Sequence, residues 1–105
     1  MDKAKQKRLE QKGWKIGNVS EFLNLTPDEA TYIELKLALS RRVRARREHQ
    51  RLTQLQLAQL LRSSQSRVAK IEAGDASVSL DLLVRSLMAL GASRKELAQV
   101  IAGKA

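Results

Sequence analysis

Apolar residues recur at helical spacing along most of the chain, and the residues that open each run are of the types that cap helices. Residues 26–29, Thr-Pro-Asp-Glu, form a strong helix start. Thr26 caps, Pro27 suits the first helical position, and Glu29 completes a capping box. The following stretch, 33–39, alternates apolar and polar as a strand would. Its Ala, Leu, Lys and Glu are nonetheless strong helix formers and no β-branched run follows, so a helix to about Gln50 is expected. On that helix Tyr32, Leu35, Leu39 and Val43 make one apolar stripe. Ile33 and Leu37 make a second, suited to the N-terminal segment or to a partner.

The pattern then shortens. Thr53 caps a helix to about Leu61 that buries Leu57, Ala58 and Leu61. Ser64 caps a second short helix over Gln65–Ala73, closed by Gly74. Ser79 caps a helix over 80–90 with Leu80, Leu83, Val84 and Leu87 inward and Gly91 as terminator. Ser93 caps the last helix, 94–102, with Glu96 at its third position. Upstream, Gly13 and Gly17 bracket an extended Trp14-Lys15-Ile16, Ser20 caps a short helix through Leu23, and residues 3–12 read as a charged arm or frayed helix. The expected fold is all-α, a compact helical bundle. Residues 1–32 form an N-terminal extension and 33–105 the main domain.

Composition narrows the chemistry. With one Trp, one Tyr and one Phe in 105 residues, the core has to be aliphatic. The absence of Cys excludes disulfides and thiolate metal sites, and a single His, His49, makes no metal centre by itself. No cofactor is expected. Carboxylates are scattered over helix starts with no convergent acid, base or nucleophile, so the chain does not read as an enzyme. His49, near a helix end, reads as a dipole partner. The apolar runs are too short for a bilayer, and the Lys-rich N-terminus lacks the apolar stretch of a secretory signal, so a cytoplasmic protein is expected. Val43 is the only sizeable apolar residue across 41–51, which argues against a membrane-surface helix.

The formal charge is +9, and six arginines fall between Arg41 and Arg51. A basic surplus so concentrated favours a polyanion. Two short helices separated by Arg62-Ser63-Ser64 have the layout of a helix-turn-helix. At about 100° per residue, Val68 and Ile71 point one way with Glu72 at the edge. Ser66, Ala69 and Lys70 point the other way, flanked by Gln65 and Arg67. That outward face is slim and polar, as entry into a major groove requires.

Leu52-Thr53-Gln54, Leu57-Ala58, Ser64-Gln65-Ser66-Arg67-Val68 and Ile71-Glu72-Ala73-Gly74, continued by Ser77-Leu80 and Leu87-Leu90-Gly91, resemble the Cro/cI-type (Xre) helix-turn-helix repressors over residues 38–92. The resemblance implies a DNA-reading motif at residues 52–74 and a homodimer on a palindromic duplex operator. Gln65, Ser66 and Lys70 would contact bases, Gln65 most simply adenine. Backbone contacts would come from Gln54, Thr53, Ser64, Arg67, Arg41, Arg44, Arg62 and Ser79. In the family, the residue at position 54 also braces the one at 65. Arg47 and Glu72 resemble a structural ion pair that joins the first helix to the end of the reading helix.

Two positions depart from the family. Arg62 stands where Gly usually takes positive φ, at a cost of about 1 kcal/mol. Arg46 stands where an apolar residue is common, and its stem can still cover apolar surface. Small Xre proteins of this size also resemble antitoxins of the HigA type, which neutralise a cognate mRNA endonuclease toxin while repressing their own operon. A stand-alone or prophage-type autorepressor shares the same DNA-binding step. On the antitoxin reading, Trp14, Phe22, Ile33 and Leu37 would build the partner surface, for a toxin or a second subunit. Aromatic enrichment upstream of the motif marks an interface or a capping segment equally well.

Overall fold

Thr26 opens the first helix through a reciprocal box: Glu29 N donates to Thr26 Oγ1 at 3.1 Å, and Thr26 N donates to a Glu29 carboxylate oxygen at 3.3 Å. The computed structural model describes residues 26–103, which form five helices and, among those residues, no strand. They are α1 (Pro27–His49), α2 (Gln54–Leu60), α3 (Gln65–Ala73), α4 (Leu80–Ala89) and α5 (Arg94–Ile101). The alternating stretch 33–39 is helical throughout, as its residue propensities require. The chain divides into two units, residues 1–34 and 35–105. The readings made for residues 3–12, for Trp14-Lys15-Ile16 and for the short helix at Ser20–Leu23 with Phe22 lie outside the described residues.

Among the described residues, the caps expected from the sequence are made. Thr53, Ser64, Ser79 and Ser93 each accept the backbone N–H three residues on, and Gln56 completes a capping box with Thr53. The helix ends follow one recipe as well. After α3 and α4 the chain takes positive φ at Gly74 (72°) and Gly91 (89°), and the next N–H reaches back five residues, Asp75 to Lys70 O and Ala92 to Leu87 O. The same bonds close α1 and α2, Leu52 to Arg47 O and Ser63 to Ala58 O, but the positive φ falls on Arg51 (58°) and Arg62 (53°).

The core of the second unit is aliphatic. Leu39 and Val43 of α1, Leu57 of α2, Val68 and Ile71 of α3, and Leu83 and Leu87 of α4 are fully buried, with Leu97 and Val100 of α5 completing the cluster. At 1.5–3 kcal/mol for each fully buried aliphatic side chain, roughly, this burial is the main force holding the short helices in place. Two details differ from expectation. Tyr32 is 48% exposed and does not continue the Leu39–Val43 stripe. Val78, in the loop before α4, is buried, a position no periodicity marks because it lies outside a helix.

Candidate nucleic-acid interface

Helices α2 and α3 are joined by 61–64, where the chain turns through positive φ at Arg62 and re-enters extended backbone at Ser64. Ser64 Oγ accepts from Arg67 N at 3.2 Å and lies 3.2 Å from Ser66 Oγ. Cap and outward serine are thus linked. On α3, Val68 and Ile71 are fully buried, while Gln65, Ser66, Arg67 and Lys70 are exposed and Ala69 is half-buried. The buried pair fixes the rotation of the helix about its axis. That leaves the polar side chains on the outer face.

The end of α3 is fixed by charge. Arg47 donates from Nε and Nη2 to the two Glu72 carboxylate oxygens, at 2.5 and 3.0 Å. Its Nη1 donates to Leu52 O at 2.8 Å, and the Gln54 amide donates to Glu72 Oε1 at 3.3 Å. The two side chains are only 13% and 5% exposed. This hub joins α1, the loop after it, the first residue of α2 and the last turn of α3. Glu72 holds the Arg47 guanidinium above its ordinary pKa by hydrogen bonding, against an opposing effect of burial. With its carboxylate turned inward, α3 presents no acidic side chain on its outer face. Gln54, which the family resemblance pairs with Gln65, is engaged here by Glu72 through its amide nitrogen.

The remaining expected contacts are more dispersed. Arg41, Arg62 and Arg67 are exposed. Arg44 is exposed too, but its Nε lies 3.5 Å from Glu48, a screened pair on one helix face. The Thr53 N–H is taken by Gln56 Oε1 at 2.8 Å, and Ser79 Oγ by Leu82 N at 3.1 Å. Ile33 and Leu37 are half-buried. A Leu37 methyl lies 2.5 Å from where a Cβ on Gly74 would stand, so Leu37 fits over the end of α3.

A second arginine centre escaped the sequence reading. Arg46 donates from Nε and Nη2 to Glu96, at 2.7 and 2.5 Å, and from Nη1 to Leu90 O at 2.8 Å. Gln50 donates to the same carbonyl at 2.6 Å. Arg46 thus sits between the carbonyl end of α4 and an acidic residue in the first turn of α5, both favourable for a cation. Arg46 holds the Glu96 carboxyl below the ordinary range through this hydrogen bond, against burial, with Arg42 adding a smaller attraction. The one available signal was a Glu after Ser93, which reads equally well as a cap partner.

Residues 38–100 match the family described as helix-turn-helix domain, well over half of the chain. The chain belongs to the helix-turn-helix domain family. The matched span takes in α2, α3 and both arginine centres, and the helix-turn-helix is a DNA-binding domain of regulators. No curated protein and no solved structure gives a significant match. Among the described residues of this helix-turn-helix protein, no His or acidic cluster could hold a metal, and no helix is long and apolar enough to cross a membrane.

Proposed function

We propose that the protein is a sequence-specific repressor of the Cro/cI (Xre) kind, which enters the major groove with α3 and binds a palindromic operator as a homodimer. The observation that carries this reading is the exposed Gln65–Ser66–Lys70 face of a helix whose rotation is fixed by Val68 and Ile71 and whose carboxylate is turned inward. Gln65, Ser66 and Lys70 read base edges. Gln54, Thr53, Ser64, Arg62, Arg67 and Ser79 meet the sugar-phosphate backbone around the motif. Arg41 and Arg44 add longer-range attraction, weakened at Arg44 by Glu48. Nothing in this scheme needs a catalytic group or a cofactor.

Selection of bound duplexes from a random pool, followed by titration of the winning sequence, tests the reading. A two-fold symmetric site is expected, with log affinity falling steeply as log salt rises. Gln65→Ala is expected to relax discrimination at one base pair by about 1–3 kcal/mol while leaving random-sequence binding intact. Equal loss on specific and random DNA would remove Gln65 from the set of base readers.

Within this reading, the protein is the antitoxin of a type II pair that represses its own operon, and a stand-alone autorepressor is the alternative. The antitoxin reading rests on the family resemblance and on the apolar residues upstream of the motif. Trp14 and Phe22, with Ile33 and Leu37, supply the toxin or dimer surface. Co-purification of a small endonuclease with wild type, lost in Trp14→Ala, decides for the toxin. Absence of any partner with wild type decides for the autorepressor.

A further inference from the structure

Helix α1 uses one edge to hold the reading helix. Lys36 donates to Ala76 O, Leu37 covers Gly74, and Arg47 holds Glu72. At about 100° per residue, residues 38, 41, 42, 45, 46 and 49 centre on the opposite side. There α1 and α5 border two adjoining open hollows of about 490 and 330 Å³, which share Arg42 and Ala45. The floor is small and apolar, from Ala38, Ala45 and Val100. The walls are basic, from Arg41, Arg42, Arg46 and His49, with Glu96 as the one carboxylate among the described residues that line them. That carboxylate is already answered by Arg46, while Arg42 stands 3.8 Å from it and Arg41 is exposed.

We propose that this groove docks an acidic segment of a partner protein, with a small apolar residue over Ala38 and Ala45 and carboxylates against Arg41 and Arg42. Charge complementarity carries the choice of occupant. The uncompensated charge is cationic, so a neutral or basic segment gains nothing from it. An apolar floor favours a polypeptide over a nucleic-acid backbone, which has no side chain to bury there. The groove also lies across α1 from the edge that holds the motif, so a segment seated in it leaves the outer face of α3 uncovered. The proposal stands independently of which operator, or which toxin, the protein recognises.

The full-length protein, isotopically labelled, is titrated with a peptide of Glu-Glu-Leu-Ala repeats at about 0.15 M salt, where diffuse attraction is screened beyond roughly 8 Å. Backbone resonances of Ala38, Ala45 and Val100 are expected to move, and those of Ser66, Ala69 and Lys70 to stay. Ala45→Glu, which places a carboxylate on the floor, is expected to weaken the peptide about tenfold. Ala45→Gln, of similar size and uncharged, should weaken it no more than about twofold, both variants keeping wild-type helical circular dichroism. Shifts scattered over the whole basic surface, equal effects of the two variants, or no binding would overturn the proposal. So would a DNA duplex that moves the groove resonances, since the groove would then be a nucleic-acid surface.

Discussion

Two corners of the domain are each held by an arginine of α1, and they are built to different tolerances. At the end of α3, Arg47 and Glu72 are nearly enclosed, Leu52 O and Gln54 use up further hydrogen-bonding capacity, and Gly74 is covered tightly by Leu37. At the corner between α4 and α5, Arg46 and Glu96 keep 26% and 18% of their side chains in solvent. Gly91 there has Arg46 Nη1 at 3.7 Å from a would-be Cβ, an ordinary van der Waals distance. Adjacent arginines on one helix therefore serve different ends. The tight corner sets the pose of α3, and the looser one closes the bundle between α4 and α5.

The difference is broken most directly at Glu72. Glu72→Ala leaves the Arg47 guanidinium enclosed without its carboxylate, and a loss of about 2–3 kcal/mol is expected in urea denaturation. Arg47→Ala should cost a similar amount, and a double-mutant cycle should show strong coupling. If Glu96→Ala costs as much as Glu72→Ala, the ranking of the two corners is wrong.

Glycine substitution sharpens the contrast. Gly74→Ala combines a positive-φ penalty with a collision against Leu37, so about 2 kcal/mol is expected. Gly91→Ala pays the backbone penalty alone, about 1 kcal/mol. Adding Leu37→Ala should relieve part of the Gly74→Ala loss, and no relief would show that the collision is absorbed elsewhere.

The looser corner should reveal itself in acid. Glu96 titrates below its ordinary range when folded, so the unfolded chain takes up its proton first. Its contribution is fully present above the unfolded value and disappears as pH falls through the folded one. Glu96→Gln is expected to flatten the stability profile below pH about 4. With the pair partly exposed, the loss at neutral pH should stay near 1 kcal/mol or less. An unchanged acid limb would show that Glu96 does not set it.

The smallest effects belong to helix ends that touch neither corner. Arg62→Gly is expected to raise stability by about 0.5–1 kcal/mol, since Gly takes positive φ without strain. A slight loss of DNA affinity should accompany it if Arg62 meets a phosphate. A lowered melting temperature would mean that the Arg62 side chain stabilises the turn by more than its backbone strains it.

What the sequence made legible was local chemistry. Thr53, Ser64, Ser79 and Ser93 are read as caps because a cap needs only its own side chain and an N–H three residues away. The outward face of α3 follows from its period. The Arg47–Glu72 partnership came from resemblance, since no spacing along the chain links positions 25 apart. Arg46–Glu96 spans 50 positions and had no such guide. Arg51 was missed because arginine carries no cue for a left-handed backbone, whereas Gly74 and Gly91 announce one. Tyr32 follows the right period for the stripe, yet it stays half exposed.

The aliphatic core has an optical consequence. From residue 35 to the C-terminus the chain contains no Trp, Tyr or Phe. The DNA-binding unit is therefore nearly silent in ultraviolet absorbance and intrinsic emission, and its melting has to be followed by backbone signals. Trp14 is the single indole and precedes the unit in sequence. Its emission reports the surroundings of residue 14 against a dark background. The protein thus carries a built-in probe of the N-terminal segment that is free of interference from the helix-turn-helix domain.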